Sequence, residues 1–134
     1  MNFDSQPNKK EQRNVLTNTI NLDNMDPEHY YYFTHQSDDR AVNNISQNGF
    51  EINGGLNGTV LWGSKESIQK QIQDIHAGEG HQGSNALVVF AIPKSEVGST
   101  IRQLDEISDH YLEQGIVSIS SKYIFGTYVA EMGK

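Results

Sequence analysis

Cysteine is absent from the 134 residues, so no disulfide, thiolate metal site or cysteine nucleophile can be built from this chain. Long apolar runs are absent too. The longest, Ala86 to Pro93, is far short of the roughly 20 residues that cross a bilayer as a helix. The first residues lack the apolar core of a secretory signal, so a cytosolic protein is expected, or one exported into a host cell without a cleaved signal. In that setting the sequons Asn44-Ile45-Ser46 and Asn57-Gly58-Thr59 carry no meaning. Basic residues are few: ten Lys and Arg stand against 17 Asp and Glu, for a net charge of -7. They are scattered, with Lys9, Lys10 and Arg13 confined to the N-terminal tail. A nucleic-acid surface needs clustered cations against the phosphates, so nucleic acid is not an expected partner. A small anion held by backbone N–H groups and one or two cations remains compatible with this charge. No internal repeat is present, and no glycine fingerprint of the Rossmann or P-loop kind follows a strand.

What is present divides at about Met25. Residues 1–25 are rich in Asn, Gln, Asp and Lys, and a segment that polar cannot bury enough surface to offset its ordering entropy. It is expected to be a flexible lead-in, with Val15, Leu16, Ile20 and Leu22 as the residues able to dock. Residues 26–134 then read as one domain. Tyr30 to Thr34 is aromatic and β-branched and predicts a strand. His35, Gln36 and Ser37 follow at its end, and Ser37 is a candidate N-cap with Asp38 and Asp39 in the first helical turn. Ala41, Val42 and Ile45 form the apolar stripe of that helix, and Gly49 stops it. Short strands are predicted at Phe50 to Ile52 and Thr59 to Trp62. Ser64 caps a second helix carrying Ile68, Ile72 and Ile75, which Gly78 ends. Asn85 to Ile92 is apolar on both faces and reads as the most buried strand, with Pro93 blocking its extension. Helical spacing of Ile101, Leu104, Ile107, Tyr111 and Leu112 predicts a third helix over 100–112. Ile116 to Ser120 alternates as a strand, and Tyr123 to Val129 supplies one or two more around Gly126. The order β-α-β-β-α-β-α-β-β is α+β.

The segment from Tyr30 to Phe50 resembles the entrance to the ADP-ribosyltransferase fold, in its poly(ADP-ribose) polymerase-like branch. That family carries His-Gly-Ser or His-Gly-Thr after its first strand, then a helix ending in Gly-Phe or Gly-Leu. Here His35-Gln36-Ser37, Ala41, Ile45 and Gly49-Phe50 stand at matching offsets. Further on, Gly54 to Leu61 resembles the glycine-rich approach to the family's next strand, Ala86 to Ile92 its central strand, and Gly115 to Val129 its closing pair. The likeness covers about Tyr30 to Glu131. It implies a split β-sheet core with two to three helices and NAD as substrate. It also implies transfer of ADP-ribose to a protein acceptor, as an effector or toxin of bacterial or phage type.

Cleavage of the ribose–nicotinamide bond builds positive charge on the sugar, as in glycoside hydrolysis, so a site must fix the ribose hydroxyls and steady that cation. By the resemblance, His35 holds the adenosine-side ribose, the backbone of Gln36 pairs with the nicotinamide amide, and Ser37 hydrogen-bonds it. Gln36 stands where the family has glycine, so its side chain is expected to crowd the pocket. Ser37 serves equally as a plain helix cap. The family's stacking tyrosine is replaced by Val60 and Leu61, and Trp62 just beyond is either the stacking ring or a core anchor. Glu113 or Gln114 precedes the strand at Ile116 and would bind the reacting ribose, or close the preceding helix as its polar end. Asp74, His76, Glu79 and His81 lack the i, i+4 histidine pair of a helical zinc site, and no metal is expected. His29 and His110 carry no pattern. Alternatives to transfer are a catalytically degraded binding module on the same scaffold and an NAD glycohydrolase. A tRNA 2'-phosphotransferase resembles the fold too, but it would need the basic cluster this chain lacks.

Overall fold

The computed structural model describes residues 13–51, 61–62, 64–99, 101–103, 110–112 and 118–132. Its centre is the strand that the composition marks as most apolar. β5, Ala86–Pro93, has side chains buried alternately in two separate apolar clusters. Strand β2, Tyr30–Ser37, runs antiparallel to it along its whole length, from Tyr30 opposite Pro93 to Ser37 opposite Ala86. On the other side of β5 lies β9, Ile124–Met132. β1, Arg13–Asn18, pairs outside β9, and β4, Leu61–Trp62, pairs outside β2. The result is one antiparallel sheet in the order β1-β9-β5-β2-β4.

Each face of this sheet is covered by one helix, because neighbouring residues of a strand point to opposite sides. Helix α1, Asp39–Asn48, lays Val42 and Ile45 on Phe33, Val88, Phe90 and Ile92. Helix α2, Lys65–His76, lays Ile68 and Ile75 on Leu87, Val89, Tyr128 and Ala130 of the other face. Two further antiparallel pairs lie outside the large sheet: β3, Phe50–Glu51, with β8, Ser118–Ile119, and β6, Ile101–Gln103, with β7, His110–Leu112. The class is α+β, with two α-helices among the described residues. None of them is long and apolar enough to cross a membrane.

Local chemistry explains the boundaries. β2 continues through Ser37, so the cap of α1 falls one residue later than expected. The Asp38 carboxylate accepts the Ala41 N–H at 2.7 Å and supplies negative charge at the helix start. Ser64 caps α2 as its sequence suggests, accepting the Ser67 N–H at 3.1 Å. Gly49 ends α1 at φ +86°, a conformation that side-chain-bearing residues rarely adopt, and a Cβ there would lie 2.8 Å from the Ile119 carbonyl oxygen. The helix stop therefore also lets β8 approach.

Two expectations are corrected. The lead-in is not loose from Arg13 onward: β1 joins the sheet edge, and the following stretch crosses β9 at Gly126, where Ile20 is buried. Any side chain at Gly126 would press on the Thr19 and Ile20 backbone at 2.8 Å. Val15 and Leu16 stay exposed, since β1 is held by backbone pairing rather than by their burial. The helix predicted over 100–112 is absent where the chain is described, and the strand pair β6–β7 occupies its two ends. Of the one or two strands expected from Tyr123 to Val129, one forms. A single strand, β9, begins at Ile124, and it pairs with β5 and β1 while β8 pairs with β3.

Candidate functional site

The candidate residues gather around the far end of β2. Because β2 does not stop at Thr34, its pleat decides where His35, Gln36 and Ser37 point. His35 lies on the α1 side, half-buried, with its ring centroid 4.5 Å from that of Phe50 at an interplanar angle of 44°. Phe50 in turn pairs with Ile119 across β3 and β8 and sits 6.0 Å from Phe90 by ring centroids. The imidazole is thus wedged where β2, β3 and β8 meet. On the opposite edge of β2, Trp62 pairs in register with Phe33 and Leu61 with Thr34, so the backbone of β4 reaches within one residue of His35.

Gln36 faces the other way. Its Nε2 donates to Gln71 Oε1 at 2.9 Å, and its Oε1 accepts the His81 N–H at 2.8 Å. Gln71 Nε2 also contacts the hydroxyls of Thr34 at 3.2 Å and Ser67 at 3.2 Å. This polar seam binds β2 to α2 and to the turn at His81–Gly83. The side chain expected to crowd the pocket is therefore on the sheet face away from His35. Ser37 is half-buried at the strand end, and Asp38 takes the capping role that was open to it. Glu113, Gln114 and Val60 lie outside the described residues. Ser118, the first described residue of β8, continues from the segment that carries Glu113 and Gln114.

The acidic and histidine residues of 74–81 do not converge. The Asp74 carboxylate meets Lys70 Nζ at 3.3 Å, and His76 Nδ1 shares a hydrogen bond with the Tyr128 hydroxyl at 3.0 Å. His29, to which the sequence assigned nothing, does find partners: one donor atom each of Asp26, Glu28 and His29 lies within 4.8 Å of the others. His29 Nδ1 and Asp26 Oδ2 are 2.8 Å apart and satisfy one another. A one-turn spacing of Asp26 and His29 was the only sequence signal for that group.

Two tyrosines bear on stability in alkali. Burial raises the pKa of Tyr128, and burial is also the main cause of the rise at Tyr32, whose hydroxyl accepts the Asp26 N–H at 2.7 Å. A phenol that keeps its proton longer in the folded chain favours folding fully below its ordinary value of about 10. That contribution is lost as pH rises through 10 toward the raised folded value. Stability is expected to fall as pH rises above about 10. Urea midpoints should show that fall shallower in Tyr128→Phe than in the parent, and an identical slope in both would refute the assignment.

Comparison of the chain with protein-family models, with curated proteins and with solved structures gives no match, so the site stands on its own geometry.

Proposed function

We propose that this chain is an NAD-consuming mono-ADP-ribosyltransferase acting on a protein acceptor, of the effector or toxin type. The observation that supports the reading is the meeting of three separated segments at His35. These are the end of β2, the β3–β8 pair that Phe50 joins to it, and the backbone of β4. They are the segments that the resemblance assigns to ribose binding, the catalytic carboxylate or amide, and ring stacking.

In this reading His35 holds the adenosine-side ribose and Glu113 or Gln114 orients the reacting one. Trp62 is the candidate ring for stacking. The bond between the anomeric carbon and the nicotinamide nitrogen breaks, and nicotinamide leaves with the electron pair. An acceptor nucleophile then bonds to that carbon and releases its proton to water. Positive charge on the ribose is what a nearby carboxylate would stabilise.

The test is incubation of the purified chain with labelled NAD and candidate lysates. Labelled protein together with free nicotinamide is expected, with Glu113→Ala or Gln114→Ala lowering turnover by about 100-fold or more. Nicotinamide release without labelled protein would assign the glycohydrolase instead. Neither product, with any lysate, would overturn the enzyme reading and leave a binding module.

A further inference from the structure

A hollow opens at the end of β2 away from His35 and on the other face of the sheet, and the residues forming it explain why it is there. Ala91 of β5 stands opposite Tyr32 in register. The pairing of β5 with β9 jumps from Gly126 opposite Val89 to Ile124 opposite Phe90, which leaves Phe125 as a bulged residue without a register partner. Bulges re-aim side chains, and the Phe125 ring here turns edge-on to Tyr32, with centroids 5.2 Å apart at 82°. The small Ala91 side chain thus stands beside two large rings in edge-to-face contact, and these residues line a depression of about 330 Å³. That is within the range of small-molecule sites, whose walls are mostly apolar and aromatic with few polar groups.

The rim completes the chemistry. Tyr30, exposed at 37%, extends the aromatic wall, its centroid 6.3 Å from that of Tyr32. Across the hollow Lys122 Nζ lies 5.1 Å from the Tyr123 ring centroid. Lys122 makes no ion pair among the described residues, and it is the one charged side chain lining the hollow. Glu96 is engaged by the Tyr123 hydroxyl, which donates to its carboxylate. Tyr32 Oη already accepts the Asp26 N–H, so the floor offers little to a polyhydroxylated ligand.

We propose that this hollow binds a small planar aromatic monoanion, its ring over Ala91 against Tyr32 and Phe125 and its anionic group on Lys122. The site is separate from the nucleotide reading. Tyr30 and His35 are five residues apart on one strand, about 16 Å at strand rise, and an odd spacing puts them on opposite sheet faces.

Titration of the full chain with 2-naphthoate, 2-naphthamide and cyclohexanecarboxylate, followed by NMR shifts of the tyrosine and Ala91 signals, tests it. Naphthoate should bind with a dissociation constant on the order of 1 mM or tighter, the scale set by its size. The neutral amide and the non-planar acid should each bind about fivefold more weakly or worse, and Lys122→Met should bring naphthoate down to the level of the amide. Ala91→Leu should abolish binding by filling the floor; if that variant fails to fold, Tyr30→Ala replaces it and should weaken naphthoate several-fold. Equal affinity for the acid and its amide, indifference to Lys122→Met, or no shift at about ten times the expected constant would each overturn the assignment.

Discussion

Phe33→Ala should cost about 3–5 kcal/mol of stability, the usual loss for a fully buried phenylalanine, and so a large part of a typical domain's total. Phe33 is completely buried, stands opposite Phe90 in β5, and takes Trp62 of β4 as its register partner on the other edge. Its ring therefore fills the α1-side cluster at the point where β2 is held from both edges. The expected urea midpoint falls by about 1–3 M at an ordinary slope for a chain of this size. Leu16→Ala is the natural control. Leu16 is 56% exposed on the edge strand β1 and should change stability by no more than about 0.5 kcal/mol. Similar losses in the two variants would mean that the α1-side cluster is not the core of the fold.

The elements with strong local signals were legible in the sequence. Ser64, the isoleucine spacing and Gly78 frame α2 without reference to anything distant, and β5 declares itself by being apolar on both faces. The failures share one feature, which is that strand pairing overrides local pattern. β1 is polar and exposed, and it is a strand because its backbone meets β9 more than a hundred positions away. At Ile101, Tyr111 and Leu112 the helical spacing yields instead to a local antiparallel pair, from Gln103 opposite His110 to Ile101 opposite Leu112. The site shows the finer version of this effect. Read as a loop after Thr34, the triplet His35, Gln36 and Ser37 converges on one ligand. Continued as a strand against Val88, Leu87 and Ala86, it alternates, and Gln36 moves to the other face. One more strand residue in the reading would have shown that.

His35→Ala and Gln36→Ala should separate cleanly if the proposed site is right. Loss of the imidazole removes the ligand group on the α1 face, and NAD affinity should drop roughly 10- to 100-fold, as when a hydrogen bond to a polar substrate group is lost. Its contact with Phe50 is lost as well, so a thermal melt must accompany the measurement to show that the variant is folded. Gln36→Ala acts in the opposite sense. It leaves Gln71 Oε1 without the Gln36 donor and takes the acceptor from the His81 N–H, at a cost of about 1–3 kcal/mol in stability, while NAD affinity should stay within about twofold. The two variants thus exchange their effects: one loses ligand and keeps the fold, the other loosens the seam to α2 and keeps ligand. If Gln36→Ala weakens NAD and His35→Ala does not, with both proteins folded, the nucleotide lies on the α2 face, and the ribose-binding role of His35 is wrong.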